Sequence, residues 1–293
     1  MPAGGKPTVR SRRLGAALKR YRLAARLDQE HAAEALGCSM AKISRVEAGI
    51  SGSRVGDVRV LLDLYEVEDA NMRVQLEHLA RQSNKRGWWL DYAGVVSDEH
   101  ADLIALETDA SYIRSWQPLF VPGLLQTPSY FQTLIDASHT VYSPETVEKG
   151  IAVRRERARV LEETSGSHFA AVIWEPALTA PMPSTKVHRQ QLEHILNVAQ
   201  RQNVTIQVLP FSEWGAAHMT SHFVMFSFGP EPAPEAVAFD ITTSTVILEN
   251  LEDTAKHARI FEALRSAALS PEKSLAFLQN AIGNIPESEK EEA

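Results

Sequence analysis

Along the first 86 residues the apolar positions recur at intervals of three and four, the spacing that lines one face of an α-helix. Over 11–26 these positions are Leu14, Leu18, Tyr21 and Ala25, with arginine and lysine between them, which predicts a first helix. Asp28 stands where a second helix, over 29–36, needs its cap, and Gly37 can take the positive φ that ends it. Ser39 caps a third helix, MAKISRVEA, ended by Gly49. Lys42 and Arg45 lie on its polar side, Ile43 and Val46 on its apolar side. A polar turn, ISGSR, leads to a fourth helix over 55–65 with Val58, Leu61, Leu62 and Tyr65 on its apolar face. A fifth covers 70–82.

From Asn84 to Gly87 the pattern breaks, and a domain boundary is expected there. Beyond it come WWLDY, a helix expected over 98–114, and a stretch interrupted by Pro118, Pro122 and Pro128. A charged helix is expected over 144–163. Runs rich in Val, Ile and Phe, bounded by Gly, Pro or polar turns, predict strands at 168–178, 204–210, 222–228, 236–241 and 245–250. Helices fill 186–202 and 252–269. Strands that follow partly in succession favour an antiparallel or mixed sheet over a doubly wound one. The expected fold class is multidomain: an all-α helix-turn-helix N-terminal domain plus an α+β C-terminal domain. The segments are a basic N-terminal arm (1–10), the helix-turn-helix domain (11–83), a mostly helical linker and start of the second domain (84–163), an α+β sensing or partner-binding domain (164–280) and an acidic tail (281–293), disordered at PESEKEEA.

Composition narrows this picture. A chain of 293 residues predicts about two domains, and 44% hydrophobic with 23% charged residues is ordinary for a soluble globular protein. Its core is large enough to need no disulfide. The single cysteine, Cys38, has no partner in the chain, which suits a reducing cytoplasm. No apolar run reaches the ~18–20 residues of a membrane span. The start, MPAGGKPTVRSRR, lacks the apolar stretch of a secretory signal. A cytoplasmic protein, associated with the nucleoid when bound to DNA, is expected.

Charge is divided unevenly. Residues 1–86 hold 16 Lys and Arg against 10 Asp and Glu, a net of +6; the remainder holds 14 against 27, a net of −13, which together give −7. A basic front on an acidic body is the asymmetry expected when one end meets a polyanion.

The second and third helices, joined only around Gly37 and Cys38, have the helix-turn-helix arrangement, in which the third helix lies in the major groove. Ala33 is small enough for the two helices to approach. The stretch DQEHAAEALGCSMAKISRVEAG resembles the Xre/Cro family of bacterial repressors through Gln29, Ala33, Gly37, Ile43, Glu47 and Gly49, over residues 10–67. The resemblance implies a lambda-repressor-like head that binds double-stranded DNA. Gln29 and Ser39, at helix N-termini, are expected to meet phosphate. Arg45 is the candidate for a bidentate guanine contact, Met40 and Ala41 for a thymine methyl, and Lys42 and Ser44 for phosphates. Arg54 completes this set. Met40 and Ala41 stand where family members often carry polar residues, which bears on the base read and not on docking. Ile43, Val46 and Glu47 read as structural and Cys38 as a turn residue. Arg10, Arg12 and Arg13 read either as a phosphate-seeking arm or as a solvated tail.

The larger part carries no G-x-S-x-G elbow, P-loop, G-x-G-x-x-G or H-E-x-x-H. His218 and His222 are four apart but enter a strand, and His188 and His194 do not share a helical face, so no metal and no cofactor are expected. The charged helix places Arg154, Arg157 and Arg159 among Glu156, Glu162 and Glu163, which reads as a solvated face or a partner surface. Adjacent Trp88 and Trp89 read as packing between domains or core, and Trp174 as core.

WWLDY, LETDASYIRSWQPLFVPGLLQTPSY, the arginine-rich helix and VTIQVLPF together resemble WhiJ-like actinobacterial regulators, over about 10–280. That resemblance implies a transcription regulator tuned by a small protein partner encoded nearby, in an arrangement likened to toxin–antitoxin pairs. Candidate partner- or ligand-binding positions are Trp88, Trp89, Arg114, Gln126 and Arg154. The leading expectation is a homodimeric regulator, not an enzyme, on a palindromic operator. An antitoxin-like protein that sequesters its partner and an enzyme with a DNA-targeting module remain open beside it.

Overall fold

The computed structural model describes residues 8–83, 87–92, 94–138, 140–218, 220–229, 233–241 and 244–286. The chain divides into two compact units, Met1–Leu90 and Asp91–Ala293. No described helix is long and apolar enough to cross a membrane.

The first unit consists of α1 (Val9–Ala24), α2 (Gln29–Ala35), α3 (Met40–Glu47), α4 (Val55–Leu64) and α5 (Ala70–Ser83). Each cap follows from the sequence. Asp28 accepts from the backbone N–H groups of Glu30 and His31 at 2.9 and 3.1 Å, and Ser39 from that of Lys42 at 3.3 Å. Gly37 and Gly49 take φ of +59° and +72°, the left-handed conformation that frees a helix end to turn. The faces named by periodicity meet in one core: Leu14, Leu18, Ala33, Ile43, Val46, Val58, Leu61, Leu62 and Tyr65 are all buried. Residues 1–7 of the expected arm lie outside the described residues. Arg10 is no arm residue: it is buried in α1, with its guanidinium 5.1 Å from the Trp89 ring centroid. Arg12 and Arg13 are also part of α1 and half-buried.

The second unit runs α6 (Asp98–Asp109), β1 (Tyr112–Gln117), α7 (Pro128–Asp136), α8 (Pro144–Ala158), β2 (His168–Trp174), α9 (Glu175–Thr179), α10 (Thr185–Val198), β3 (Val204–Leu209), α11 (Trp214–Ala217), β4 (Phe223–Ser227), β5 (Ala236–Ile241), β6 (Ser244–Leu248), α12 (Leu251–Ala267) and α13 (Pro271–Asn284). Six strands form one mixed sheet in the order β3-β2-β1-β4-β5-β6. The strands β1, β2 and β3 are parallel, and β4, β5 and β6 continue antiparallel. One face buries Trp116, Val172, Met225 and Val237 against Phe261 and Leu264 of α12.

Five strands lie where the hydropathy places them. The sixth, β1, takes up the last three residues of the helix expected over 98–114 and the three that follow; that helix in fact stops at Asp109, and Ala110 caps it in an extended conformation. The strand at 168–178 is likewise shorter, its end turning into α9. The helix expected over 144–163 ends at Ala158 and continues as two short 3-10 turns. Beside the short α9 and α11, the longer unforeseen helices are α7 and α13. Both begin with a hydroxyl cap followed by proline, Thr127-Pro128 and Ser270-Pro271, a start signal readable from sequence. Because α13 reaches Asn284, the expected acidic tail is helical at its beginning; residues 287–293 lie outside the described ones, as do residues 84–86 of the expected boundary.

Candidate nucleic-acid interface

The third helix is held from beneath. Ile43 and Val46 are buried, and so is Glu47, whose carboxylate accepts from Arg22 Nε at 2.6 Å, Arg22 Nη2 at 3.0 Å and Gln29 Nε2 at 2.9 Å. Burial by itself would raise the Glu47 carboxyl. The bonds from Arg22 and Gln29 outweigh it and hold that group below its ordinary value. The end of α3 is closed by Gly49 and Ile50, whose N–H groups donate to Val46 and Arg45 carbonyls at 2.9 Å each. Beneath α3 runs α1, and Gly15 makes the approach possible: a Cβ there would lie 2.3 Å from the Val46 carbonyl oxygen.

What α3 turns outward is the set Met40, Ala41, Ser44 and Arg45, all exposed; Met40 is 54% exposed although it is a large apolar side chain. Among the described residues the Arg45 side chain makes no hydrogen bond or ion pair. Its five donors are free for an external acceptor. Arg54, exposed at the start of α4, is equally unengaged among the described residues. Lys42 is half-buried and pairs with Asp57 at 3.4 Å. An exposed pair of this kind is worth ~0–1 kcal/mol, so a phosphate can compete for the ammonium.

The two helix N-termini expected to meet phosphate differ. Ser39 is exposed and caps α3 with a neutral hydroxyl. At α2 the cap is the Asp28 carboxylate, held below its ordinary value by hydrogen bonds from His31. That negative charge repels phosphate, and the Gln29 amide is turned to Glu47. The α2 N-terminus is therefore the weaker of the two, and Gln29 serves as a brace for Glu47.

The five candidate partner- or ligand-binding residues are not brought together. Trp88 and Trp89 belong to the first unit and meet edge to face at 5.9 Å, with Trp89 buried. Arg114 lies on β1 on the same face as Trp116; its Nη1 donates to Ser227 Oγ at 3.4 Å, and burial lowers its pKa. Of the three in the second unit, Gln126 and Arg154 touch, Arg154 Nε donating to Gln126 Oε1 at 3.3 Å. The reading of 144–163 as a solvated face fails at Arg157. That side chain is buried and donates to both oxygens of Glu107 on α6 at 2.8 Å each. His218 and His222 bond different carbonyls, those of Trp214 and Asp240. Trp174 is only partly buried and stacks on Phe211 at 5.9 Å. Sequence reasoning missed Gly15, Arg22 and Glu107, whose partners lie 25 to 50 residues away for the two ion pairs.

Two family models match this chain. One, described as a helix-turn-helix domain, covers residues 13–76, and its span holds α2 and α3 with their turn. It supports a DNA-binding regulator. The other, described as a domain of unknown function (DUF5753), covers residues 100–280. No curated protein and no solved structure matches the chain.

Proposed function

We propose a function from the premise that the chain belongs to the DUF5753 family, a domain of unknown function, here preceded by a helix-turn-helix head. In this reading the chain is a sequence-specific transcription regulator of the Xre/Cro type, close to the WhiJ-like actinobacterial regulators. The helix α3 enters the major groove. Arg45 takes a guanine edge, Met40 and Ala41 meet thymine methyl groups, and Ser39, Ser44, Lys42 and Arg54 meet the backbone. The carrying observation is the outward row of α3, with an unengaged Arg45 guanidinium on a helix pinned by Ile43, Val46 and Glu47.

One small head reads few base pairs, so the protein works as a homodimer on a palindromic operator, with half-sites about 34 Å apart or a multiple of it. It acts by binding and not by catalysis, in the cytoplasm and on the nucleoid. A small partner protein encoded nearby, or a ligand, sets its activity through the second unit.

The test starts from genomic DNA that co-precipitates with the protein. Operator fragments recovered that way are titrated with the wild type and with Arg45→Ala. The expected loss is roughly 1–3 kcal/mol of discrimination at one base pair of each half-site. An Arg45→Ala protein with unchanged base preference would remove Arg45 from the reading role.

A further inference from the structure

In the second unit a cavity of about 400 Å³ opens on the sheet face opposite α12. Ser115 and Gln117 of β1 point into this side, while the alternate residue Trp116 packs on the other. The wall is mostly apolar, from Phe120, Leu124, Phe169 and Val224. Its volume is at the lower end of the ~300–1,000 Å³ usual for ligand pockets. That suits a metabolite-sized molecule.

Most polar groups around this cavity are matched; Arg154 and Ser115 are two exceptions, and the partly exposed Gln117 amide likewise has no side-chain hydrogen bond among the described residues. Arg157 is spent on Glu107. Asp240 accepts from Thr245 Oγ1 at 3.0 Å and faces His100 at 3.8 Å. Gln126 donates to the Val121 carbonyl at 2.8 Å, which turns its own oxygen to Arg154 Nε. Beyond that one bond, Arg154 has no hydrogen-bond acceptor and no carboxylate within ion-pair distance among the described residues. Its guanidinium carbon lies over the Phe131 ring, 3.4 Å from the centroid, and both terminal nitrogens keep their donors. The second exception is Ser115, 2% exposed, whose buried Oγ has no partner among the described residues. Burial, with Arg157 close by, outweighs the Asp240 and Glu107 carboxylates and pushes the Arg154 pKa down to about 9.

We propose that this cavity binds a small carboxylic acid with an apolar body, its carboxylate gripped by the free side of the Arg154 guanidinium. A carboxylate takes two parallel N–H bonds from one guanidinium. A phosphate dianion asks for more positive charge, and here Arg157 and Glu107 neutralise each other while Asp240 adds negative charge. The apolar body fills the space between Phe120, Leu124 and Phe169. That such an acid is the regulator's effector rests on the function proposed above; that it binds does not.

Calorimetry on the full chain decides. The probes are octanoate, phenylacetate and indole-3-acetate, each against its primary amide, with benzyl phosphate as the phosphate arm. At least one acid is expected to bind saturably, at one per chain, with its amide roughly tenfold to a hundredfold weaker. Arg154→Gln is expected to lose the same factor, and Arg154→Lys to retain part of the affinity. Should Arg154→Gln fail to fold by circular dichroism, the contrast between acid and amide on the wild type remains decisive. The proposal is overturned if no acid binds, if amides bind as well as acids, if benzyl phosphate binds better than phenylacetate, or if folded Arg154→Gln binds unchanged. Operator affinity, measured in parallel without acid, separates a failure here from a failure of the DNA-binding reading.

Discussion

Glu47 ties α3 to the interior of the helix-turn-helix head. It binds Arg22 through two hydrogen bonds and Gln29 through a third, and it anchors the underside of α3. Replacing it with Gln leaves Arg22 buried without its counter-charge, which costs roughly 3–5 kcal/mol. Hydrogen exchange of amides in 9–24 and 40–47 is expected to accelerate accordingly in Glu47→Gln; unchanged protection would mean that the pair is ornamental. The same carboxyl sets a pH dependence. Its folded pKa lies below the ordinary Glu value of ~4.3. Its stabilisation is therefore complete above that value and is lost as pH falls through the lower, folded one. Amide protection of the head measured from pH 6 downward should fall only on this acid side. Tyr65 makes the opposite case. Its buried hydroxyl has no partner among the described residues, and burial pushes its pKa up to about 12. Tyr65→Phe removes an unmet hydrogen-bonding group and is expected to leave the urea midpoint unchanged or raise stability by about 1 kcal/mol. A clear loss would reveal a water or a partner at that oxygen.

Between elements, the tightest constraint is α1 against α3 at Gly15. A Gly→Ala change inside a helix ordinarily stabilises by ~0.5–1 kcal/mol. Here the added carbon would meet the Val46 and Glu47 carbonyl oxygens at 2.3 and 2.6 Å, so backbone must move, at roughly 1–3 kcal/mol. The thermal midpoint of Gly15→Ala is expected to fall, and operator affinity with it as α3 tilts. A rise would contradict the close approach. Gly15 shows where sequence reading stops. Periodicity identified α1 through α5 and the outward row of α3, because those are local patterns within one helix. It placed β2 through β6 because Val, Ile and Phe cluster there. It did not see β1, whose residues YIRSWQ alternate in neither hydropathy nor size. A central strand covered on both faces has no solvent side to mark it. Nor could it pair Arg157 with Glu107 across 50 residues; an arginine among glutamates on one helix looks solvated until the facing helix is known. Of the three candidate ligand residues in the second unit only Gln126 and Arg154 converge, for the same reason.

For the molecule as a whole, charge and topology set the behaviour. The net of +6 in residues 1–86 against −13 in the rest favours the head as the surface that meets a polyanion. Log affinity for DNA should fall steeply and linearly with log salt, because each phosphate contact releases counterions. Arg54→Ala is expected to weaken binding to all sequences alike and to reduce that slope by about 1, unlike Arg45→Ala. A slope indifferent to Arg54 would take it out of the backbone contacts. The position of β1 in the sheet also imposes an order of assembly. The head closes through neighbouring helices and can finish once residue 90 has left the ribosome. By contrast, β1 has its two partners in β2 and β4, and β4 ends only at Ser227. At ~5–20 residues per second that is a delay of roughly 5–20 s between synthesis of β1 and of β4. A nascent chain therefore carries a finished helix-turn-helix unit for that interval while the sheet of its second unit still waits for an edge to close on.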